Sequence, residues 1–162
     1  MLRQIVRDEA GAEADISQIM PLDGGSINTT LQLTLNDGQK IVLKISPHRV
    51  NRSYCDEAHQ LNLLRAQGVP VPRVHKAVIG SLDQPHSYLL MEFVEGIDLG
   101  KARRHATPDE FETLQQELAE LVTLIHSVTQ EQFGRVHHDG PVPADSWPGM
   151  YREIYQPIFD SV

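Results

Sequence analysis

Residues 41–46 read Ile-Val-Leu-Lys-Ile-Ser, IVLKIS. Alternation along an extended chain puts Ile41, Leu43 and Ile45 on one face and Val42, Lys44 and Ser46 on the other. The run has the composition of a buried strand, yet Lys44 sits inside it. Lysine is seldom buried without a partner. Either Lys44 points into water or a carboxylate meets it, and the flanking sequence bears on the choice.

Upstream, INTTLQLTL places Leu31, Leu33 and Leu35 on one face and Thr30, Gln32 and Thr34 on the other, the period of two that a sheet requires. Asn36-Asp37-Gly38 then gives a tight-turn signal. The strand-like ISQIMPL lies earlier, separated by DGG. Residues 16 to 46 therefore read as a three-stranded antiparallel meander. Downstream, NRSYCDEAHQLNLLRAQG has helical spacing, with Tyr54, Ala58, Leu61 and Leu64 on one face and Gly68 where a helix stops.

VPVP breaks the chain, and RVHKAVI and SYLLMEFV read as two more strands joined by SLDQPHS. After Glu95-Gly96 the composition reads as helical to the end. Thr107-Pro108-Asp109-Glu110 is a capping box with proline at the first helical position. Phe111, Leu114, Leu118, Leu121 and Ile125 mark one face of a helix of about five turns. Trp147, Met150, Tyr151, Ile154, Tyr155 and Ile158 form a last helical stripe, which Pro157 is expected to kink or end. MLRQIVRDEA reads as a short amphipathic helix ended by Gly11. Five strands with one inserted helix, followed by helices, make an α+β pattern with a boundary near Gly96.

The inserted helix bears on Lys44. Glu57, Leu61 and Leu64 are spaced by four and three and share a face. If the leucines pack on the sheet, Glu57 points there too, while Asp56 lies about 100° round the helix. A carboxylate on a packing face needs a cation, and Lys44 is the nearest in sequence. A strand lysine fixed by a helix glutamate, beside a glycine-bearing hairpin, suits the holding of nucleotide phosphates. In that hairpin, LDGGSINTT, the backbone at Gly24 and Gly25 can approach an anion closely and Ser26 adds a hydroxyl. An ordinary turn explains the same letters. Val42, on the Lys44 face, would roof a base, and the strand end EFVEG offers backbone groups to its edge. A plain buried last strand explains that run equally well.

GGSIN, IVLKIS, DEAHQLNLL with GVPVPRV, and SYLLMEFVEG together resemble the amino-terminal lobe of the aminoglycoside phosphotransferase family. This kinase-like fold also includes fructosamine, choline and homoserine kinases. FETLQQELAELVTLIHSV followed by FG resembles the family's first carboxy-lobe helix. The resemblance runs over most of residues 15 to 155. It implies a protein-kinase-like amino lobe with hinge over 1–95, a five-stranded antiparallel sheet with one inserted helix. Residues 96–162 would begin a helical carboxy lobe. It further implies ATP as cofactor. Lys44 would hold the α/β-phosphates and Glu57 would orient it. Gly24, Gly25 and Ser26 would form the phosphate loop. The backbone of Glu92 and Val94 would hold adenine, with Met91 behind the base.

The family's chemistry sits on a His-Gly-Asp loop with a following Asn and a second, metal-binding Asp. No His-Gly-Asp occurs here. His137-His138-Asp139-Gly140 has the letters in another order, too early in the chain, and reads as a polar loop. Hence no catalytic residue and no metal ligand is assigned in this chain. Mg2+ is expected for the complete family site. The expectation is a fragment of a longer protein, or a truncated relative, inactive alone. Three functions compete: the nucleotide-binding part of an ATP-dependent small-molecule kinase, a non-catalytic pseudokinase-like module, and a metal site around His126, His137, His138 and Asp139. The last lacks regular metal-ligand spacing.

Composition narrows the partners. The formal net charge is -8 over 162 residues, without the basic footprint of a nucleic-acid or anionic-membrane binder. The single cysteine, Cys55, permits no internal disulfide and suggests a reducing, cytoplasmic setting. No apolar run approaches the ~20 residues of a membrane helix. The stripe over 147–159 is expected to be exposed, or covered by a second copy through self-association.

Overall fold

The computed structural model of the chain describes residues 2–22, 29–46, 52–82, 86–131, 134–140 and 142–160. Its elements are, in order, α1 (Leu2–Ala10), β1 (Ile16–Pro21), β2 (Thr29–Leu35), β3 (Lys40–Ile45), α2 (Ser53–Ala66), β4 (Val74–Val78) and β5 (Tyr88–Glu92). Then come α3 (Leu99–His105), α4 (Pro108–Ser127), β6 (Gly134–Arg135), β7 (Val142–Pro143) and α5 (Trp147–Phe159). The fold is α+β. One antiparallel five-stranded sheet has the order β1-β2-β3-β5-β4, with α2 inserted between β3 and β4. Helices dominate after β5.

The turn between β2 and β3 forms as its letters require. Gly38 takes φ 88°, a conformation that side chains resist, and its N–H donates to the Leu35 carbonyl at 3.1 Å. Register then follows: Leu33 lies opposite Ile41, Leu31 opposite Leu43 and Thr30 opposite Lys44. β5 pairs with β3 on the other side, Met91 opposite Val42 and Leu89 opposite Lys44. Gly68, at φ 83°, closes α2 by donating to the Arg65 carbonyl.

Both faces of the sheet are covered. On one, Leu33, Leu35, Ile41, Leu43, Tyr88 and Leu90 pack with Ile5 and Val6 of α1. On the other, Val42, Leu89 and Met91 pack with Tyr54 and Ala58 of α2, with Leu61, Val74 and Phe93 at the margin. Double coverage explains why β5 is an unbroken apolar run: Tyr88, Leu89, Leu90 and Met91 are all buried. At the edge, Lys76 of β4 pairs with Glu9 of α1.

Two details differ from the sequence expectation, in Leu64 and in β6–β7, and two refine it, in α3 and at Pro157. Leu64 does not join the sheet-facing cluster; with Leu63 it lines a cavity of about 560 Å³ toward Ile125, Trp147 and Met150. Helix α2 is packed on two sides, so its apolar residues spread around it. The stretch after Gly96 is not helical throughout, because β6 and β7 form a two-residue antiparallel ladder. The helical stretch after the hinge begins with the separate α3, capped by the Asp98 side chain accepting from the Lys101 N–H. Pro157 does not end α5, which continues to Phe159. Placed in the last turn, the proline removes one backbone hydrogen bond near an end where few remain to be lost. The capping box of α4 forms as read, Thr107 accepting from the Glu110 N–H while the Glu110 carboxylate accepts from that of Thr107.

Candidate nucleotide site

Lys44 leaves β3 on the α2 side of the sheet, and Glu57 leaves the second turn of α2 toward it. The ammonium nitrogen stands 2.5 Å from Glu57 Oε1. The side chains are 28% and 36% exposed, so the pair sits at an open margin rather than sealed in the core. That margin decides its chemistry. A fully enclosed pair would serve packing alone, whereas here the ammonium keeps donor capacity for an incoming anion.

The apolar part of the site lies two residues down the strand. Val42 and Met91 are 6% and 9% exposed, directly opposite each other on the Lys44 face. Gln32, opposite Val42 on β2, is buried beside them. At the end of β5 the Glu92 N–H donates to the Arg73 carbonyl at 2.8 Å, and the Glu92 carboxylate accepts from the Arg73 N–H at 2.9 Å. The Glu92 N–H is therefore already engaged with the segment before β4. Val94, just beyond, is exposed. The segment is held from below: Lys40 lies 5.3 Å over the Phe93 ring and pairs with Glu95. Gly24, Gly25 and Ser26 lie outside the described residues.

Tyr54, one turn before Glu57, is buried on this face. Burial, and then the Glu57 charge, push its hydroxyl up to about 12. Among the described residues that hydroxyl has no hydrogen-bond partner.

A second constellation lies on another face of α2, and sequence reasoning missed it. Asp56 Oδ1 accepts from the His138 backbone N–H at 3.0 Å and lies 2.7 Å from His138 Nδ1. Asp56 Oδ2 lies 3.2 Å from His137 Nδ1. His138 Nε2 is 3.1 Å from Asp139 Oδ1, and Asp139 also pairs with Arg52. Gln60 Nε2 donates to the Val136 carbonyl at 3.1 Å. Burial alone would raise the Asp56 carboxyl, but hydrogen bonds from His138 and the nearby histidine charges bring it below the usual aspartate range. The polar loop over 137–140 is thus a partner of α2. Its letters could have flagged histidine–carboxylate pairing, but nothing local named Asp56.

At the Lys44 end the described residues place an ammonium held by a carboxylate at an open margin, while Val42 and Met91, two residues down the strand on the same face, are buried against Tyr54 and Ala58. The described residues do not supply a metal centre, since no group of three or more His, Cys, Asp or Glu among them is arranged to hold an ion. The reading that joined His126 to His137, His138 and Asp139 has the histidine pair engaged with Asp56 instead.

Comparison with known proteins bears on the fold and the family. The family model of the phosphotransferase enzyme family matches residues 18–151. Among solved structures, a protein of Ralstonia eutropha JMP134, described as a candidate aminoglycoside phosphotransferase, is similar with a TM-score of 0.55 and 20% identity. The match covers 78% of this chain and 37% of that one, so the chain spans well under half the length of that relative. At such identity the likeness is one of fold. No curated protein matches the chain. No helix among the described residues is long and apolar enough to cross a membrane. The family match begins in β1, ends in α5 and takes in both Lys44 and Glu57; this chain belongs to the phosphotransferase enzyme family.

Proposed function

We propose that this chain is the nucleotide-binding part of an ATP-dependent phosphotransferase acting on a small-molecule hydroxyl or amine-sugar in the cytoplasm, with residues 1–95 as the nucleotide lobe and 96–162 as the start of a helical lobe. The observation that carries the reading is the Lys44–Glu57 ion pair at an open margin of the sheet, on the face that also carries Val42 and Met91. Lys44 neutralises phosphate oxygens, and Glu57 fixes the ammonium so that little side-chain freedom is lost on binding. Val42 and Met91 exclude water from the base. When bound with Mg2+, ATP supplies the phosphoryl group and its charge-neutralising ion.

No residue of this chain is assigned as the proton acceptor in transfer. Asp139, the acid of the His-His-Asp-Gly loop, is committed to Arg52 and His138. Calorimetry with ATP tests the reading. The wild type is expected to bind, and Lys44→Ala to bind about tenfold more weakly or worse, the scale of a lost charge-assisted hydrogen bond. Equal heats in both proteins remove Lys44 from the site and the reading with it.

A further inference from the structure

Helix α2 is held from two directions. Glu57 reaches β3, while Arg52, Asp56 and Gln60 face the 136–139 segment. Those three positions are spaced by four and make one helical stripe. Asp56 and Glu57 are neighbours in the chain, so a rotation of α2 that releases one displaces the other. The Arg52 side chain makes no capping bond at the start of α2 and pairs instead with Asp139.

The centre of the stripe is His138. Its two ring nitrogens stand 2.7 Å and 3.1 Å from oxygens of two different carboxylates, Asp56 and Asp139. A neutral imidazole has one N–H and one lone pair. In that form it satisfies one carboxylate and presents a lone pair to the other. The imidazolium donates to both. The other charged or titratable groups of the cluster are Arg52 and Cys55 on α2 and His137 on its own segment, while Glu57 and Arg135 line a cavity with Asp56 and His137. Arg52 draws on Asp139 whatever the state of the ring, and His137 takes the second oxygen of Asp56. Neither supplies the second ring N–H.

We propose that Asp56 and His138 are positioning residues for the Lys44–Glu57 pair, with the His138 imidazolium as a proton-dependent clasp between α2 and the 136–139 segment. The inference rests on the nucleotide reading of Lys44 and Glu57 for its functional consequence, though not for the clasp itself. The clasp closes when His138 carries a proton on both ring nitrogens and loosens when one of them is lost, because only the imidazolium donates to both carboxylates. At its acid limit it is lost only as pH falls through the depressed value of Asp56, below the usual aspartate range.

The test uses the whole chain and two readouts. Amide hydrogen exchange over residues 53–66, corrected for intrinsic rate, is measured at pH 6 and pH 8. In the wild type, protection is expected to fall by about tenfold toward pH 8, the scale of one charge-assisted hydrogen bond lost. His138→Gln and Asp56→Asn should remove the step. Asp139→Asn, which leaves only one carboxylate on the ring, should move it to lower pH. The last substitution is at an exposed position and keeps the test open if the others fail to fold. Wild-type protection that ignores pH overturns the clasp, as does a step that survives in His138→Gln.

The second readout is ADP affinity by calorimetry at the same two values. The ratio of wild-type to His138→Gln affinity should fall toward pH 8, which cancels titration of the nucleotide. A constant ratio, with Lys44→Ala still weakened, leaves nucleotide binding standing and overturns the positioning role. Undiminished ADP binding in Lys44→Ala fails the nucleotide reading instead, and hydrogen exchange then judges the clasp alone.

Discussion

Val42 lies directly across β3 and β5 from Met91, and Lys44 lies two residues further along the same face. The base end and the phosphate end of the candidate site are therefore set by one strand register. They are separable by mutation. Val42→Ala is expected to weaken ATP binding several-fold through lost apolar contact, on the order of 1 kcal/mol, and to leave binding of inorganic triphosphate unchanged. Lys44→Ala should weaken both. Competition calorimetry with the two ligands checks this, and parallel losses in both variants would dissolve the assignment of ends.

Helix α1 covers the sheet face opposite the site, with Ile5 at 3% and Val6 at 0% exposure. Truncating Ile5 to Ala opens a cavity in that core and is expected to cost about 2–4 kcal/mol. Urea unfolding should show a lower midpoint at unchanged slope. A change below about 0.5 kcal/mol, the usual size of a surface effect, would mean that α1 does not stay docked.

The sheet was legible because period-two alternation and an Asp-Gly turn are local signals. Thr30, Gln32 and Thr34 against Leu31, Leu33 and Leu35 sufficed for β2, and the shared face of Glu57 and Leu61 sufficed for the ion pair. The covering role of α1 was not legible, since an amphipathic helix does not announce which of two sheet faces it takes. The Asp56–His138 contact joins positions 82 apart. No spacing rule reaches that far, and two-residue strands such as β6 and β7 have no period to read. Leu64 misled because helical spacing names a face without saying how many neighbours surround the helix.

Tyr54 carries a hydroxyl that is buried without a partner among the described residues. Removing it should be nearly free: Tyr54→Phe is expected to leave stability within about 1 kcal/mol, since no hydrogen bond is lost. The pH dependence should change more. Burial and Glu57 raise the Tyr54 pKa to about 12, so its contribution is complete below the ordinary tyrosine value near 10 and lost as pH rises from there toward 12. The wild type should weaken over that interval, and Tyr54→Phe should flatten the Tyr54 part of the decline. Alkaline unfolding curves of the two proteins decide it.

The outer side of α5 is apolar and aromatic. Trp147 and Phe159 are 59% and 72% exposed, and Tyr151 and Tyr155 rings lie 4.2 Å apart. Contiguous surface of this kind tends to find cover. We propose that this chain, prepared alone, self-associates through residues 147–159. Sedimentation at increasing concentration should show association that Tyr151→Glu and Ile158→Glu suppress. A monomer at every concentration would leave the face without that role.

Lys44 rides on the middle strand of five, hydrogen-bonded to β2 on one side and β5 on the other. Its backbone can be released only by parting the sheet, so the β3 amides should exchange with solvent about as slowly as the whole protein unfolds. Under the proposed nucleotide reading, the Lys44 end of the site is thus in position before any ligand arrives. Calorimetric traces should then carry little of the unfavourable ordering entropy that accompanies coupled folding.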